Sequence, residues 1–148
     1  MITIVFPGQG SQYVGMGKDF YSEFPLAKET FSEASDSIGI DLKRLCFESD
    51  QSELSLTANA QPAILTTSIA MLRVFQCETD IKPDFLAGHS LGEYSALVAS
   101  GCMKLSDAVY VVRKRGEFMQ DSVPVGVGAM AAILGLTEDI VKGICESV

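Results

Sequence analysis

Long hydrophobic runs are missing from this sequence of 148 residues. No apolar stretch approaches the roughly 18 residues that a membrane-spanning helix needs, so we expect no part of it to cross a bilayer. The first six residues carry no basic charge, and Pro7-Gly8 ends their apolar run at once, so no signal peptide is expected. Hydrophobic residues make up 47% and charged residues 20%, which is typical of a globular protein.

Histidine and grouped cysteines are also scarce. The sequence has one histidine, His89, and four scattered cysteines without a C-x-x-C pair, namely Cys46, Cys77, Cys102 and Cys145. A metal site is therefore not expected, and reduced thiols in a cytoplasm fit this pattern best. Positive charge is scarce as well, since the net charge is −8. The acidic excess argues against nucleic acid and anionic membranes as partners, although a local basic patch could serve an acidic protein.

The most informative stretch is a G-x-S-x-G pattern in the middle of the chain. An apolar run at 85–87 enters Gly88-His89-Ser90-Leu91-Gly92, and small or apolar residues at helical spacing follow. This is the strand–turn–helix context in which the pattern can display a nucleophilic serine. We predict that Ser90 is exposed at the end of a buried strand, beside the free N–H groups of the next helix. A hydroxyl next to an anion-stabilising helix end suits acyl transfer, although glycine and serine also fill ordinary loops.

A serine hydroxyl is a poor nucleophile unless a base lies within about 3 Å. The only histidine directly precedes Ser90. Because neighbouring residues point in different directions at a sharp turn, we predict a packing or hydrogen-bonding role for His89. The base then lies beyond residue 148, or the chain is inactive.

The remaining pattern predicts an α/β protein with few strands. A β-branched run at 2–6 predicts a central strand, followed by a tight loop at 7–12 on the edge where open α/β sheets bind ligands. The polar segment 48–57 predicts a loop, and the next helix is expected to carry Pro62 in its first turn. Helices are predicted over 18–24, from Pro25 to a stop at Gly39, over 42–47 behind Asp41, from 57 or 59, over 93–100 before Gly101, and from a Ser106 cap to 119.

The carboxyl-terminal residues predict the start of a second unit. Pro124 to Gly128 has the composition of a linker, 129–134 predicts a strand, and Thr137 predicts the cap of a helix that runs to Val148. Residues 1–125 contain only two convincing strands, and two strands alone make no stable sheet. We therefore expect the front part of a larger protein, with a first domain over 1–125 and a second one beginning at 126.

Several segments resemble the malonyl-CoA:acyl carrier protein transacylase family, in family order and spacing. They are Phe6-Pro7-Gly8-Gln9-Gly10-Ser11-Gln12, Gly88-His89-Ser90-Leu91-Gly92-Glu93, Arg115-Gly116 with Phe118-Met119-Gln120, and Gly128-Ala129-Met130-Ala131-Ala132-Ile133. Family members are about twice as long. The resemblance implies a hydrolase-like parallel-sheet subdomain over 1–125 and, from 126, the start of an inserted ferredoxin-like subdomain that remains incomplete.

The resemblance also implies roles for individual residues. Ser90 would take malonyl from coenzyme A as a serine ester, and the backbone N–H groups of Gln9 and Leu91 would form the oxyanion hole. Arg115 would hold the malonyl carboxylate in a bidentate pair, while Arg113 and Lys114 would remain surface charges. The catalytic histidine of the family belongs to its second half, so this chain alone is expected to be a poor enzyme.

The implied partners are malonyl-CoA, acyl carrier protein and the remainder of the same protein, possibly as a separate chain, in the cytoplasm. Coenzyme A thioester is a substrate, and no cofactor is expected. Lys104, Arg113 and Lys114 are weak candidates for a landing site of the acidic carrier protein. A serine esterase, or an inactive fragment or binding module, remains the alternative.

Overall fold

A computed structural model describes residues 1–123 and 133–147 of the chain. Two short strands and eight helices are present in these ranges. In chain order they are β1 (Thr3–Phe6), α1 (Lys18–Glu23), α2 (Pro25–Ile38), α3 (Leu42–Phe47), α4 (Gln51–Ser55), α5 (Thr57–Glu78), β2 (Phe85–Gly88), α6 (Leu91–Ala99), α7 (Leu105–Ser122) and α8 (Glu138–Glu146). No helix within the described ranges has the length and apolar character needed to span a membrane.

The two strands form a small parallel sheet. Thr3 pairs with Phe85 and Phe6 with Gly88, so both strands end at the same edge. Val5 is 69% exposed and Phe85 is 56% exposed, although both side chains are apolar. The fold is thus α/β with a small parallel sheet, as predicted, and part of the sheet's apolar surface is uncovered in this chain.

Helix α5 is the centre of the core because apolar residues surround much of its circumference. It packs against α2, α6 and α7. Its Leu65 and Ile69 are buried, as are Val109 and Val112 of α7. An edge-to-face ring contact between Tyr21 and Phe31, at a centroid distance of 5.5 Å, extends the core towards α1 and α2. Two residues of the site described below, Gln61 and Arg115, lie on α5 and α7 respectively.

The prediction of a loop over 48–57 is wrong, because α4 occupies part of it. The carboxylate of Asp50 accepts a hydrogen bond from the backbone N–H of Glu53 at 2.7 Å and so caps the helix. Leu54 is fully buried and anchors the turn in the core. The segment looked polar because Leu54 is its only buried apolar residue.

One proline position and one helix start also differ from the prediction. Helix α5 begins at Thr57, which was one of the two predicted starts, but Pro62 is then its sixth residue and lies beyond the first turn. Helix α7 begins at Leu105 after Lys104, and Ser106 therefore lies inside it and not at the cap. The predicted stops are confirmed, since Gly39 and Gly101 both have the left-handed backbone that glycine favours, with φ of 66° and 78°.

The predicted linker and most of the predicted strand over 129–134 lie outside the described residues. Of that strand, Ile133 and Leu134 are described and belong to no regular element. Helix α8 follows Thr137 as expected and ends at Glu146, two residues earlier than predicted. The hydroxyl of Thr137 makes no capping hydrogen bond.

Candidate active site

Ser90 lies at the carboxyl edge of the sheet, between β2 and α6. Its backbone has φ 53° and ψ −102°, and it is the only non-glycine residue with positive φ in the described ranges. Such a conformation costs on the order of 1–3 kcal/mol and is retained mainly where function needs it. The residue is exposed, so its hydroxyl is accessible at the start of α6.

Three glycines allow the chain to fold so tightly around this serine. A Cβ atom at Gly88 would overlap the backbone of Gly92, and one at Gly92 would overlap the carbonyl of Phe6. A Cβ atom at Gly8 would lie 2.7 Å from the carbonyl oxygen of His89. The end of β1, the loop after it and the serine turn therefore meet at van der Waals distance.

The loop after β1 is held by its own polar groups. The backbone N–H of Gly10 donates to the side-chain oxygen of Gln12 at 2.8 Å, and the Ser11 hydroxyl donates to the carbonyl of Gly8 at 2.8 Å. The side-chain amide of Gln9 donates to Thr57 Oγ1 at 3.1 Å, which directs that side chain towards the start of α5. The Gln9 side chain thus ties the loop to α5.

The backbone N–H groups of Gln9 and Leu91 are available as donors. Leu91 is the first residue of α6, where a helical N–H has no partner within the helix. In the described part of the chain, neither N–H forms a hydrogen bond with another protein group. Since Gly8 lies against the carbonyl of His89, the loop that carries Gln9 meets the turn that leads into Leu91.

Arg115 reaches across from α7 to the serine. Its Nη2 donates to Ser90 Oγ at 3.0 Å, and its Nη1 donates to the side-chain oxygen of Gln61 at 2.6 Å. The guanidinium carbon also lies 5.9 Å from the centre of the Tyr94 ring, within reach of a cation–π contact. Two of the predicted site residues, far apart in sequence, are thus in direct contact.

The three consecutive cations of α7 have different electrostatic surroundings. Arg113 Nε and Lys114 Nζ each lie 2.7 Å from a carboxylate oxygen of Glu117. Hydrogen bonds from Lys114 and Arg113 lower the pKa of Glu117, and the bond between Lys114 and Glu117 raises the pKa of Lys114. Arg115 forms no ion pair with any side chain in the described ranges. Of these three cations, Arg115 is therefore the one whose positive charge is available to a ligand.

The prediction that Arg113 is a surface charge is wrong. Pro62 has no N–H to donate to the carbonyl of Ala58 one turn earlier, and Arg113 Nη1 donates to that oxygen at 3.1 Å instead. The same Nη1 also donates to the side-chain oxygen of Asn59 at 2.6 Å. The side chain of Arg113 is only 21% exposed, and it links α7 to α5. Lys114 remains a surface charge, as predicted.

His89 is placed against the first loop. Its carbonyl accepts the N–H of Gly92 at 2.9 Å, and its ring nitrogen Nδ1 would lie 3.0 Å from a Cβ atom at Gly8. No hydrogen bond joins the ring to Ser90 within the part of the chain that the structure describes. The contacts fit a packing role, and no other histidine exists in the sequence.

Gln61 is a site residue that sequence reasoning missed. It is fully buried in α5 and touches Arg115, yet the segment around it was interpreted only as a core helix. The available signal was an amide followed by proline inside a run of small and apolar residues. A buried polar side chain needs a hydrogen-bond partner, so its presence in such a run points to one.

An open cavity of about 440 Å³ lies beside Arg115 on the surface of α7. It is lined mainly by apolar and aromatic side chains, namely Tyr110, Val111, Lys114, Arg115, Phe118, Met119 and Ser122. Phe118 is 67% exposed there, which is unusual for a phenylalanine. No cluster of three metal-binding side chains occurs within the described ranges.

The fold and the turn are those of α/β proteins that display a serine at the end of a parallel strand. Residues 3–146 match the family model of the acyl transferase domain, and the chain belongs to that family. The chain is 58% identical over 147 residues to the malonyl CoA-acyl carrier protein transacylase of Bacillus subtilis (strain 168), with 99% of this chain and 46% of that protein covered.

Solved structures give the same result. The structure of the malonyl CoA-acyl carrier protein transacylase from Coxiella burnetii matches with a TM-score of 0.89 and 46% identity, over 99% of this chain and 46% of that one. A malonyl-transacylase in complex with a type II PKS acyl-carrier protein matches with a TM-score of 0.88 and 45% identity, over 99% and 48% of the two chains. The chain thus spans about half the length of the relatives it matches.

Proposed function

We propose that this chain is the amino-terminal half of an acyltransferase that moves a malonyl group from coenzyme A to acyl carrier protein, in fatty acid biosynthesis. The observation that carries the proposal is the contact between Ser90 Oγ and Arg115 at 3.0 Å, because that arginine has no ion-pair partner in the described ranges. A nucleophile beside an uncompensated guanidinium suits an acyl group that itself ends in a carboxylate. The names of the relatives support this choice of substrate.

The transfer takes two balanced steps. Ser90 Oγ forms a bond to the thioester carbonyl carbon and gives its proton to a base, after which the C–S bond breaks and coenzyme A leaves as the protonated thiol. In the second step the phosphopantetheine thiol of the carrier protein gives its proton to the base, and its sulfur forms a bond to the acyl carbon. The ester C–O bond to Ser90 then breaks, and Ser90 Oγ takes that proton from the base. Both steps pass through an oxyanion on the acyl carbonyl.

The N–H groups of Gln9 and Leu91 are the donors we propose for that oxyanion. Both are without a protein acceptor in the described residues, and Leu91 adds the positive end of the α6 dipole. A single well-placed donor of this kind is worth on the order of 3 kcal/mol in the transition state. The strained backbone of Ser90 orients the hydroxyl for the same purpose.

We propose that Arg115 binds the malonyl carboxylate. Its fork of N–H donors matches a carboxylate in a bidentate pair, and Gln61 and Tyr94 hold the guanidinium without neutralising it. On binding, the carboxylate would replace the Ser90 hydroxyl as the partner of Nη2. That exchange would free Ser90 Oγ at the moment when the thioester is in place.

We propose that residues beyond this chain supply the base and complete the sheet. An apolar groove of about 700 Å³ runs beside β1, and its lining includes Val5, Met71 and Phe75. The relatives contain about as many residues again as this chain covers, which is enough to fill such a groove. In the finer form of this proposal, residues 1–125 begin a hydrolase-like subdomain and 126–148 begin an inserted ferredoxin-like one.

The acceptor we propose is the phosphopantetheine thiol of an acyl carrier protein, in the cytoplasm and without a cofactor. Lys104 and Lys114 are exposed or half-buried cations that an acidic carrier could contact, whereas Arg113 is engaged within the fold. The four cysteines are free thiols, which supports a reducing compartment. The cavity at Phe118 lies beside Arg115 and could accept part of the pantetheine arm.

A transfer assay tests the function. The complete protein, with any residues that follow Val148, is mixed with malonyl-CoA and a carrier protein, and release of coenzyme A is followed from the first turnover. We expect a burst of one coenzyme A per Ser90, then steady transfer to the carrier. Rapid turnover of neutral esters without a burst would indicate a serine esterase, and no acylation at all would indicate an inactive binding module.

A further inference from the structure

The guanidinium of Arg115 is held entirely by neutral groups within the described ranges. Its partners are the Gln61 amide, the Ser90 hydroxyl and the Tyr94 ring. Building on the proposed function, we propose that Gln61 is a positioning residue that aims Arg115 at the acyl carboxylate and, by being neutral, preserves the preference for carboxylated over neutral acyl groups. The role rests on the absence of charge on the amide as well as on its shape.

The contacts of Gln61 fix the orientation of its amide. Its oxygen accepts from Arg115 Nη1 at 2.6 Å, and its nitrogen donates towards the sulfur of Met119 at 3.4 Å. A flipped amide would place its N–H₂ group against another donor, so this orientation is the only one that gives Arg115 an acceptor. Gln61 is fully buried, so its amide is shielded from water.

The segments around this contact are closely packed. Pro62 follows Gln61 directly, and the carbonyl that it leaves free is bound by Arg113. A Cβ atom at Gly116 would lie 2.6 Å from the Cα of Ala58, so α5 and α7 approach at backbone distance next to Arg115. The oxygen of Gln61 is therefore a fixed reference point for the guanidinium, and Arg115 can turn only by breaking that bond.

The neutrality of Gln61 stands out against the partners of the other two cations of α7. Arg113 and Lys114 each have the carboxylate of Glu117 beside them, whereas Arg115 has the uncharged amide of Gln61. A carboxylate in place of the buried amide would form a strong charge-assisted pair with Arg115. The substrate carboxylate would then meet a pair that is nearly neutral overall and would bind more weakly. The binding of a neutral acyl group would be weakened much less.

The test compares Gln61→Glu with the parent in the complete protein, using malonyl-CoA and acetyl-CoA at one pH. The ratio of kcat/KM for the two thioesters is expected to fall about 10- to 100-fold, the effect of one charge-assisted contact, mainly through KM for malonyl-CoA. Gln76→Glu is the matched control, because Gln76 is exposed on the same helix. It should leave the ratio unchanged.

An unchanged ratio in a folded Gln61→Glu protein would overturn the inference. If that variant does not fold, Gln61→Met decides, since it keeps the volume and removes the acceptor. A larger loss of kcat/KM with malonyl-CoA than with acetyl-CoA supports the positioning role. An equal loss of kcat/KM with both thioesters contradicts it. If the parent itself does not acylate Ser90, the proposed function has failed and not the role of Gln61.

Discussion

The close approach of α5 and α7 predicts that Gly116→Ala is destabilising, although alanine is the better helix former. The new Cβ atom would lie 2.6 Å from Ala58 Cα and 2.7 Å from the carbonyl oxygen of Thr57. Both atoms belong to the backbone of α5, so no side chain can move aside. The helices would have to separate by close to 1 Å, and overpacking of this kind costs about 1–3 kcal/mol. The gain in helix propensity of about 1 kcal/mol offsets part of this loss, so we expect a net destabilisation of up to about 2 kcal/mol.

The separation should also weaken the site. The bonds from Arg113 to Ala58 at 3.1 Å and from Arg115 to Gln61 at 2.6 Å both cross the same helix interface. Hydrogen bonds weaken steeply once they lengthen beyond normal distances. We therefore expect Gly116→Ala to raise KM for malonyl-CoA in addition to lowering stability.

Urea denaturation of the complete protein measures the first effect. Gly143→Ala in α8 is the control, because a Cβ atom there would meet nothing within 4 Å. The control should be neutral or stabilised by up to about 1 kcal/mol. A Gly116→Ala protein as stable as the Gly143→Ala protein would refute the reasoning about close helix contact.

Three further predictions follow from single residues. Ser90→Gly should raise the free energy of unfolding by about 1 kcal/mol, because glycine tolerates the positive φ, and it should abolish acylation. A free energy of unfolding that is unchanged or lower in urea denaturation would contradict the backbone strain at Ser90. Arg113→Met should lower the free energy of unfolding by about 1–3 kcal/mol, because it leaves two acceptors on α5 without a donor. Lys114→Met should lower it much less, and equal losses of stability would contradict this prediction. Burial raises the pKa of Cys46 to about 12, so its thiol stays protonated at pH 8 and should resist alkylation. The other three cysteines are exposed and should react. Peptide mass spectrometry that finds Cys46 labelled first would contradict this prediction.

Local signals in the sequence were enough for the serine turn and for several helix ends. Gly88 and Gly92 flank Ser90 at the spacing that a sharp turn needs, and Gly39 and Gly101 stop their helices in the left-handed conformation. These features depend on residues within one or two turns of each other. The parallel pairing of β1 with β2 joins residues 82 positions apart, and it was predicted from the apolar character of both strands and from the helices between them.

Contacts between distant segments could not be predicted in the same way. Arg113 and Arg115 each bind a residue of α5 that lies 54 positions earlier, and no local pattern distinguishes such an arginine from a solvated one. The resemblance to the family singled out Arg115 but assigned Arg113 to the surface. Gln61 was missed because its partner is known only once α5 and α7 are packed.

The account depends most on Ser90 as the residue that carries the acyl group. Peptide mass spectrometry of the complete protein after brief exposure to malonyl-CoA, before any carrier protein is added, tests this directly. We predict one malonyl group on the peptide that contains Ser90, and none on that peptide in Ser90→Ala. A malonyl group on any other residue, or an unlabelled Ser90 in protein that still transfers malonyl, would contradict the account.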